Sequence, residues 1–401
     1  RAEIYLKAAL GQDGVQAKAI KELLDKTLKS SLKHTLKVPV SLKDKVITVK
    51  SGVRLELNSG VGNDHVNLAL QMGANCTNFT MEVKNEETGN QYDLPVVTKV
   101  RVINEPVIRL LSLTKGYEGK LDITDLKDIF EYSQDRQFSL HKACLVASGI
   151  IPEAFKDRTD ITLKNILENF IGESGKGIEI SIDVKGVPPQ SGLGTSSAIA
   201  TNTLAALAKF SGQSKTDNPS IDLDEIMLFV ARTLYVEQLT EALGGWQDAC
   251  SMLPGIKLLY TRPGQFLPDY KRVNPGAQKD IERFVKVVRG GLKRASISGA
   301  AWQFTGLYAL RSEPIVKARK RTREIVKEQM QLIEEGKIAD LGRLEEEDTK
   351  LRLIIAPAAY NEYFRRLRIG LIQRLGEGAI YFGACGSTYG AGNKIIINIE
   401  R

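Results

Sequence analysis

A glycine- and hydroxyl-rich segment, PPQSGLGTSS at residues 188–197, has the residue types that bind phosphate. Glycines let a ligand approach the backbone, and hydroxyls can contact phosphate oxygens or Mg²⁺. A predicted strand leads into the segment. A helix of small residues follows it and offers unpaired N–H groups and its positive dipole end to an anion. The alternative is a turn whose Ser and Thr residues only cap the helix, which explains one hydroxyl but not three in a row. We therefore expect a polyphosphate-binding loop made of Pro189, Gln190, Ser191, Gly192, Leu193, Gly194, Thr195, Ser196 and Ser197.

Two acidic residues downstream are candidates for the chemistry of phosphoryl transfer. Such a reaction needs the phosphates held, their charge neutralised and the acceptor hydroxyl oriented. Glu237 lies in a predicted helix over residues 222–243, where its carboxylate can complete a Mg²⁺ shell with Ser196. Asp248 follows a Gly-Gly turn that can press its carboxylate into a cleft. We expect Ser196 (or Ser197) and Glu237 to bind Mg²⁺ and Asp248 to orient or deprotonate the hydroxyl. Taken alone, Glu237 is also typical of a surface acid.

These segments resemble motifs of the GHMP kinase superfamily. PPQSGLGTSSA is similar to the second GHMP motif, PxxxGLGSSA, and GGWQD at 244–248 resembles the L-fucokinase branch. The resemblance implies ATP and Mg²⁺ as cofactors and a sugar as acceptor, with L-fucose 1-phosphate as the first product to consider. It also implies a substrate-binding role for Trp246 and Gln247. In that branch the kinase can follow a pyrophosphorylase-type domain, so the resemblance further implies a possible domain upstream.

The strand that begins at Val53 resembles the first motif of the same branch, VRxxLxGGWSD. The resemblance places Arg54 beside Asp248, where it would stabilise the transferring charge, and gives Asn63 or Asp64 the contacts to sugar hydroxyls. A buried strand arginine in an ordinary ion pair remains the alternative for Arg54. A third family motif corresponds to the loop at 383–392, which carries Cys385, Ser387 and Thr388 where the family has glycines.

Hydrophobic periodicity supplies the elements that must position these residues. Apolar spacing predicts a helix at 15–36, and alternation predicts strands near 46–49, 53–57, 79–83, 96–103 and 177–184. Residues 280–375 are mostly helical in pattern, and the chain closes with a strand at 394–399. Strands followed by mixed helices and a late strand indicate an α+β protein with two domains.

The domain boundaries follow from combining this pattern with the resemblance. We expect a helical extension at 1–45, an ATP-binding domain at 46–265 and a C-terminal domain at 266–401. The resemblance implies an S5 domain 2-like fold for the ATP-binding domain and a ferredoxin-like fold for the C-terminal domain.

Composition narrows the possible function classes. The 401 residues carry a net charge of +8, but the Lys and Arg residues are mixed with acids and lack interleaved aromatics, which argues against nucleic acid. No apolar run is long enough for a membrane helix, and four widely spaced cysteines fit a cytoplasmic protein rather than a disulfide or zinc framework. The rivals are a kinase of another acceptor (galactose, arabinose, a uronic acid or a heptose phosphate), a catalytically impaired sugar or nucleotide sensor, and a scaffold with a basic surface.

Overall fold

A computed structural model describes residues 36–59, 66–84, 92–132, 138–188, 191–214, 223–241, 244–273, 276–289, 306–355, 362–384 and 392–397. The helix expected at 15–36 falls outside them up to position 35, as do Asn63, Asp64, Pro189 and Gln190 and most of the glycine-rich loop at 383–392.

The described residues form an α+β protein, as the sequence predicted. Its strands are β1 (Ile47–Ser51), β2 (Val53–Ser59), β3 (Ala74–Met81), β4 (Val83–Lys84), β5 (Tyr92–Asp93), β6 (Val96–Ile103), β7 (Ile108–Ser112), β8 (Gly119–Ile123), β9 (Gly177–Val184), β10 (Ile256–Thr261), β11 (Asp269–Arg272), β12 (Val285–Arg289), β13 (Ile380–Ala384) and β14 (Gly392–Ile397). Its helices are α1 (Val66–Met72), α2 (Leu126–Ile129), α3 (Ser139–Ala147), α4 (Leu163–Ile171), α5 (Thr195–Phe210), α6 (Leu223–Leu239), α7 (Trp246–Ala249), α8 (Gly276–Phe284), α9 (Glu313–Glu334), α10 (Leu341–Ile355) and α11 (Glu362–Leu375). Short 3₁₀ turns lie at Val40–Leu42, Glu153–Phe155, Cys250–Met252 and Ile338–Asp340.

The chain separates into two compact units built from interleaved segments. The first unit takes its residues from Arg1–Gly52, Glu82–Gly186 and Ser196–Leu243, and the second from Val53–Met81, Val187–Thr195 and Gly244–Arg401. The domain boundary expected at residue 265 stays a prediction.

The first unit is organised around a five-stranded sheet in the order β1-β6-β9-β7-β8. β7 and β9 run parallel, whereas the other neighbours are antiparallel. Asn202 of α5 is fully buried, and its amide donates to the carbonyl of Val49 at 2.9 Å and to Oγ1 of Thr98 at 3.2 Å. These bonds fasten the helix that follows the glycine segment to two strands of the sheet.

The second unit contains an antiparallel sheet in the order β11-β10-β3-β2. Directly opposed residues of antiparallel strands share a face. Arg54 opposes Thr80, and Asn78 opposes both Glu56 and Lys257, so these five residues lie on one face, which we call the polar face.

The rest of the second unit packs helices against strands. β12, β14 and β13 form a three-stranded antiparallel sheet. α10 approaches β13 so closely that a Cβ added to Gly342 would lie 2.0 Å from the ring of Tyr381. The described residues of 280–375 are mostly helical, as expected, but β12 interrupts the helices at Val285–Arg289. Within the described residues, no helix has both the length and the apolar composition needed to cross a bilayer.

Candidate active site

The glycine segment adopts a conformation that only glycine accepts without strain. Gly192 has φ of 78° and Gly194 has φ of 66°. Residues 191–194 are all buried, and the carbonyl of Leu193 accepts a hydrogen bond from the backbone N–H of Arg54 at 3.0 Å. The segment is therefore attached to β2 just before it enters α5.

Gly194 is required for a second reason, which is the approach of two charged side chains. A Cβ at this position would lie 3.0 Å from Cγ of Arg54 and 3.1 Å from Cγ of Asp248. Such distances are below ordinary van der Waals contact, so any larger residue would push these side chains or the backbone away. The structure thus brings the glycine segment, Arg54 and Asp248 together within the second unit.

Asp248 lies in the first turn of α7, whose N-cap is Gly245. Nε of Arg54 donates to Oδ1 of Asp248 at 2.5 Å, and Nη2 of Arg54 contacts the same oxygen. The Arg54 side chain is 3% exposed and the Asp248 side chain 25% exposed. The acid therefore stays accessible while its cation is enclosed. Burial by itself lowers the pKa of Arg54, but the carboxylates of Asp248 and Glu56 raise it above its ordinary value, so Arg54 stays charged.

The Arg54–Asp248 pair is the end of a longer chain of alternating charges. Nη1 of Arg54 lies 3.3 Å from Oε2 of Glu56, and Oε1 of Glu56 lies 3.5 Å from Nη2 of Arg352. Nε of Arg352 in turn donates to Oδ2 of Asp348 at 2.6 Å. Glu56 and Asp348 are each 1% exposed. Buried ion pairs need good geometry to offset desolvation, and this arrangement fixes the position of Arg54 from two sides.

The residues that precede Asp248 are buried. Trp246 is fully enclosed, and the carbonyl of Gln247 accepts from Nδ2 of Asn78 at 2.9 Å. Their predicted contacts with a sugar stay a prediction.

The first unit holds the other predicted pair of ligands. Oγ of Ser197 donates to Oε1 of Glu237, and Glu237 is only 4% exposed. The two helices that carry them are joined one turn further by a 2.9 Å hydrogen bond between the hydroxyls of Thr201 and Thr233. Of the two serines considered for Mg²⁺, Ser196 is exposed, and Ser197 is the one that contacts Glu237.

This carboxylate–hydroxyl pair has the chemistry that Mg²⁺ accepts. Mg²⁺ is usually bound through one or two protein oxygens together with substrate phosphates and water. Among the described residues no group of three or more His, Cys, Asp or Glu side chains could hold a metal. The Ser197 and Glu237 oxygens together with those of a bound phosphate would be the ligands of a Mg²⁺ site here.

Sequence reasoning missed three members of the charge chain: Glu56, Asp348 and Arg352. Glu56 lies two residues after Arg54 and therefore on the same face of the strand, so its proximity to Arg54 could have been predicted from the sequence. Asp348 and Arg352 are spaced i, i+4 on a helix, but nothing in the sequence connects that helix to β2.

Comparison with known proteins identifies related chains. Residues 161–255 match the family described as GHMP kinases N terminal domain. The chain is 30% identical over 259 residues to a Bacteroides fragilis "L-fucokinase/L-fucose-1-P guanylyltransferase", an alignment covering 61% of this chain and 24% of that protein. It is 27% identical over 285 residues to an Arabidopsis thaliana "Bifunctional fucokinase/GDP-fucose pyrophosphorylase", covering 68% of this chain and 24% of the relative. This chain thus spans about a quarter of the length of the curated relatives it matches.

Solved structures share the fold. Streptococcus pneumoniae phosphomevalonate kinase, solved in complex with phosphomevalonate and AMPPNP, aligns with a TM-score of 0.57 at 14% identity, covering 88% of this chain and 93% of the other. At that identity the likeness concerns the fold alone. The matched domain and the two fucokinase relatives support a place for this chain in the GHMP kinase superfamily, close to the fucokinases.

Proposed function

We propose that this chain is an ATP-dependent small-molecule kinase that phosphorylates a sugar hydroxyl, with L-fucose to L-fucose 1-phosphate as the leading reaction. The observation that carries this proposal is the packing of Gly194 directly against the Arg54–Asp248 pair. This contact places a segment suited to phosphate binding next to a carboxylate suited to accepting the proton of a hydroxyl. These are two of the requirements of phosphoryl transfer.

Asp248 is the residue proposed to act on the acceptor. Its carboxylate orients the hydroxyl and receives its proton as the oxygen attacks the γ-phosphorus of ATP, and ADP leaves. Arg54 holds that carboxylate in place, and its fixed charge stabilises the negative charge on the transferring group. Because the charge chain keeps Arg54 from turning away, little reorganisation is needed when the reaction occurs.

The nucleotide is assigned to the glycine segment. Backbone N–H groups at the start of α5 would bind phosphate oxygens, and the hydroxyls of Thr195 and Ser196 would add contacts. Ser197 and Glu237 would hold Mg²⁺, whose charge neutralises the phosphates when it is bound. Asn63, Asp64, Trp246 and Gln247 remain the residues proposed for sugar recognition.

The choice of L-fucose rests on the GGWQD segment and on the activities named for the two relatives. Both relatives combine a fucokinase with a second, nucleotide-transferring activity. We propose that this chain corresponds to their kinase part, acting beside a pyrophosphorylase-type domain, and that the protein is cytoplasmic. Co-purification of a guanylyltransferase activity on L-fucose 1-phosphate with the natural full-length protein would support this assignment, and its absence would contradict it.

The test is sugar phosphorylation by the wild-type chain and by Asp248→Asn. With Mg·ATP and L-fucose, the wild type should form a sugar 1-phosphate that is detectable by mass spectrometry. Asp248→Asn should lower kcat about a thousandfold, as expected for loss of a general base, while nucleotide binding is kept. Asp280→Asn, which changes an exposed aspartate of the same unit, serves as the matched control.

Other outcomes select among the rivals. Turnover only with galactose, arabinose, a uronic acid or a heptose phosphate keeps the kinase and changes the sugar. No turnover in the wild type with any of these sugars, despite binding of ATP, favours a sensor on a kinase fold. Near-normal turnover in Asp248→Asn removes Asp248 from its proposed role.

A further inference from the structure

Lys257 is a buried cation that the proposed reaction does not use. It lies on β10, on the polar face, with 0% of its surface exposed. Its ammonium group donates to Oγ1 of Thr80 at 2.7 Å and to the carbonyl oxygens of Leu253 at 2.5 Å and Gly255 at 3.5 Å. All three acceptors are neutral oxygens. A lysine buried in this way is costly, so its position needs an explanation.

The carbonyl acceptors belong to the stretch that follows Asp248. Residues 247–255 run from α7 through a 3₁₀ turn to the start of β10. At the start of this stretch, Nδ2 of Asn78 donates a hydrogen bond to the carbonyl oxygen of Gln247 at 2.9 Å. Near its other end, Oγ1 of Thr80 donates to the carbonyl oxygens of Leu253 at 2.5 Å and Ser251 at 3.1 Å. Side chains of the polar face thus form hydrogen bonds to the backbone of this stretch both before and after Asp248.

We propose that Lys257 is a positioning residue for Asp248: with Thr80, it fixes residues 247–255 so that the Asp248 carboxylate stays against Arg54 and Gly194. The catalytic meaning of this inference rests on the proposed kinase function, but the ordering of the segment does not. Hydrogen bonds from a charged donor are about twice as strong as neutral ones, which explains why an ammonium rather than another hydroxyl occupies the site.

The protonation state of Lys257 gives the inference a second signature. Burial lowers the pKa of Lys257 from 10.5 to about 7. The groups that face it are Cys250 from the 3₁₀ turn and Cys76 from β3, which raise this pKa, and Arg272 from β11, which lowers it. Near neutrality the ammonium therefore begins to lose its proton, and a neutral amine donates weaker bonds to the carbonyl oxygens.

The same shift makes stability depend on pH. Because the pKa of Lys257 is lower in the folded state than in the unfolded one, the unfolded chain binds more protons between about pH 7 and pH 10.5. The contribution of Lys257 to stability therefore rises with pH across this window and is constant below it. Relative to Lys257→Met, the urea midpoint of the wild type should increase between about pH 6.5 and about pH 9.

The experiment compares hydrogen–deuterium exchange and kinetics for wild type, Lys257→Met and Lys271→Met. Lys271 is an exposed lysine on the adjacent strand β11 and provides the matched control. In Lys257→Met the amides of 246–255 should exchange about tenfold faster, because the charged hydrogen bonds that order the segment are gone. The kcat should fall about tenfold, most strongly near pH 6, while the KM for ATP stays within about twofold. Lys271→Met should match the wild type.

Several results separate this inference from the proposed function. If Lys257→Met exchanges in 246–255 like the wild type, or loses kcat and ATP affinity equally, Lys257 is not a positioning residue. If Lys257→Met does not fold, Thr80→Val, which keeps the lysine and removes the hydroxyl between it and the segment, must show the faster exchange or the inference fails. If the wild type phosphorylates no sugar, the proposed function fails, and exchange still decides whether Lys257 orders the segment.

Discussion

The two acids assigned to the reaction are held in different ways. Asp248, in the second unit, lies against the guanidinium of Arg54, which also contacts Glu56. Glu237, in the first unit, accepts a hydrogen bond from the neutral hydroxyl of Ser197. One carboxylate is paired with a full charge inside a buried ionic chain, and the other receives a donor without charge from the adjacent helix.

This difference matches the two tasks proposed for the acids. A carboxylate that handles a proton must be accessible and held in one orientation, which Arg54 provides for Asp248 through a charge-assisted contact. A carboxylate that binds a metal ion must stay negatively charged. A hydroxyl donor can orient such a carboxylate without neutralising its charge. The comparison teaches that the surroundings of each acid, more than its identity, indicate its role.

The largest expected effect tests whether the ionic chain is needed for stability. Arg54→Met leaves Asp248 and Glu56 facing each other without their shared cation, and it should lower the free energy of unfolding by about 3–5 kcal/mol. Ser197→Ala removes only a neutral donor and should cost about 1–3 kcal/mol. Urea unfolding measures both. Arg158→Met, which breaks an exposed ion pair with Asp160, should behave like the wild type. Equal losses for Arg54→Met and Ser197→Ala would remove the distinction between the two sites.

A second prediction concerns the contact between Gly194 and the Arg54–Asp248 pair. Gly194→Ala adds a strained backbone conformation and a Cβ in a space already filled by these side chains, so it should cost about 2–4 kcal/mol and raise the KM for ATP. Gly264 also has a positive φ, of 81°, but no atom lies within 4 Å of the position that a Cβ would take there. Gly264→Ala should therefore cost about 1 kcal/mol, the backbone part alone, and leave the KM unchanged. If the two variants lose the same stability, side-chain contact adds nothing at Gly194.

The smallest expected effect sharpens the role of the other acid. Glu237→Gln keeps the shape and the contact with Ser197 but removes the charge, so about tenfold more Mg²⁺ should be needed for half-maximal activity. Titration of activity with Mg²⁺ at saturating ATP measures this. Glu241→Gln, an exposed residue just beyond the same helix, is the control. A variant with an unchanged Mg²⁺ requirement and a reduced kcat would mean that Glu237 does not bind the metal.

Much of the fold was predictable from local patterns. The strands at 53–57, 96–103 and 177–184 and the helix at 222–243 were placed within a few residues, because alternation and helical spacing reflect which side chains are buried. β12 was missed, because a five-residue strand between charged helices is too short for its alternating pattern to be recognised in the sequence. The positions of Asn63, Asp64, Pro189 and Gln190 lie outside the described residues, so their roles stay predictions.

The sequence by itself determined the chemistry that is available. The glycines that permit positive φ, the hydroxyls at the helix start and the acid after the Gly-Gly turn are local features, and each was readable along the chain. The tertiary structure decided which of these groups meet. Strand pairing placed Glu56, Asn78, Thr80 and Lys257 on the face that carries Arg54, and α10 added Arg352 and Asp348 from a distant part of the chain. Contacts of that kind depend on how elements pair and pack, and the periodicity of a single segment contains no information about its distant neighbours.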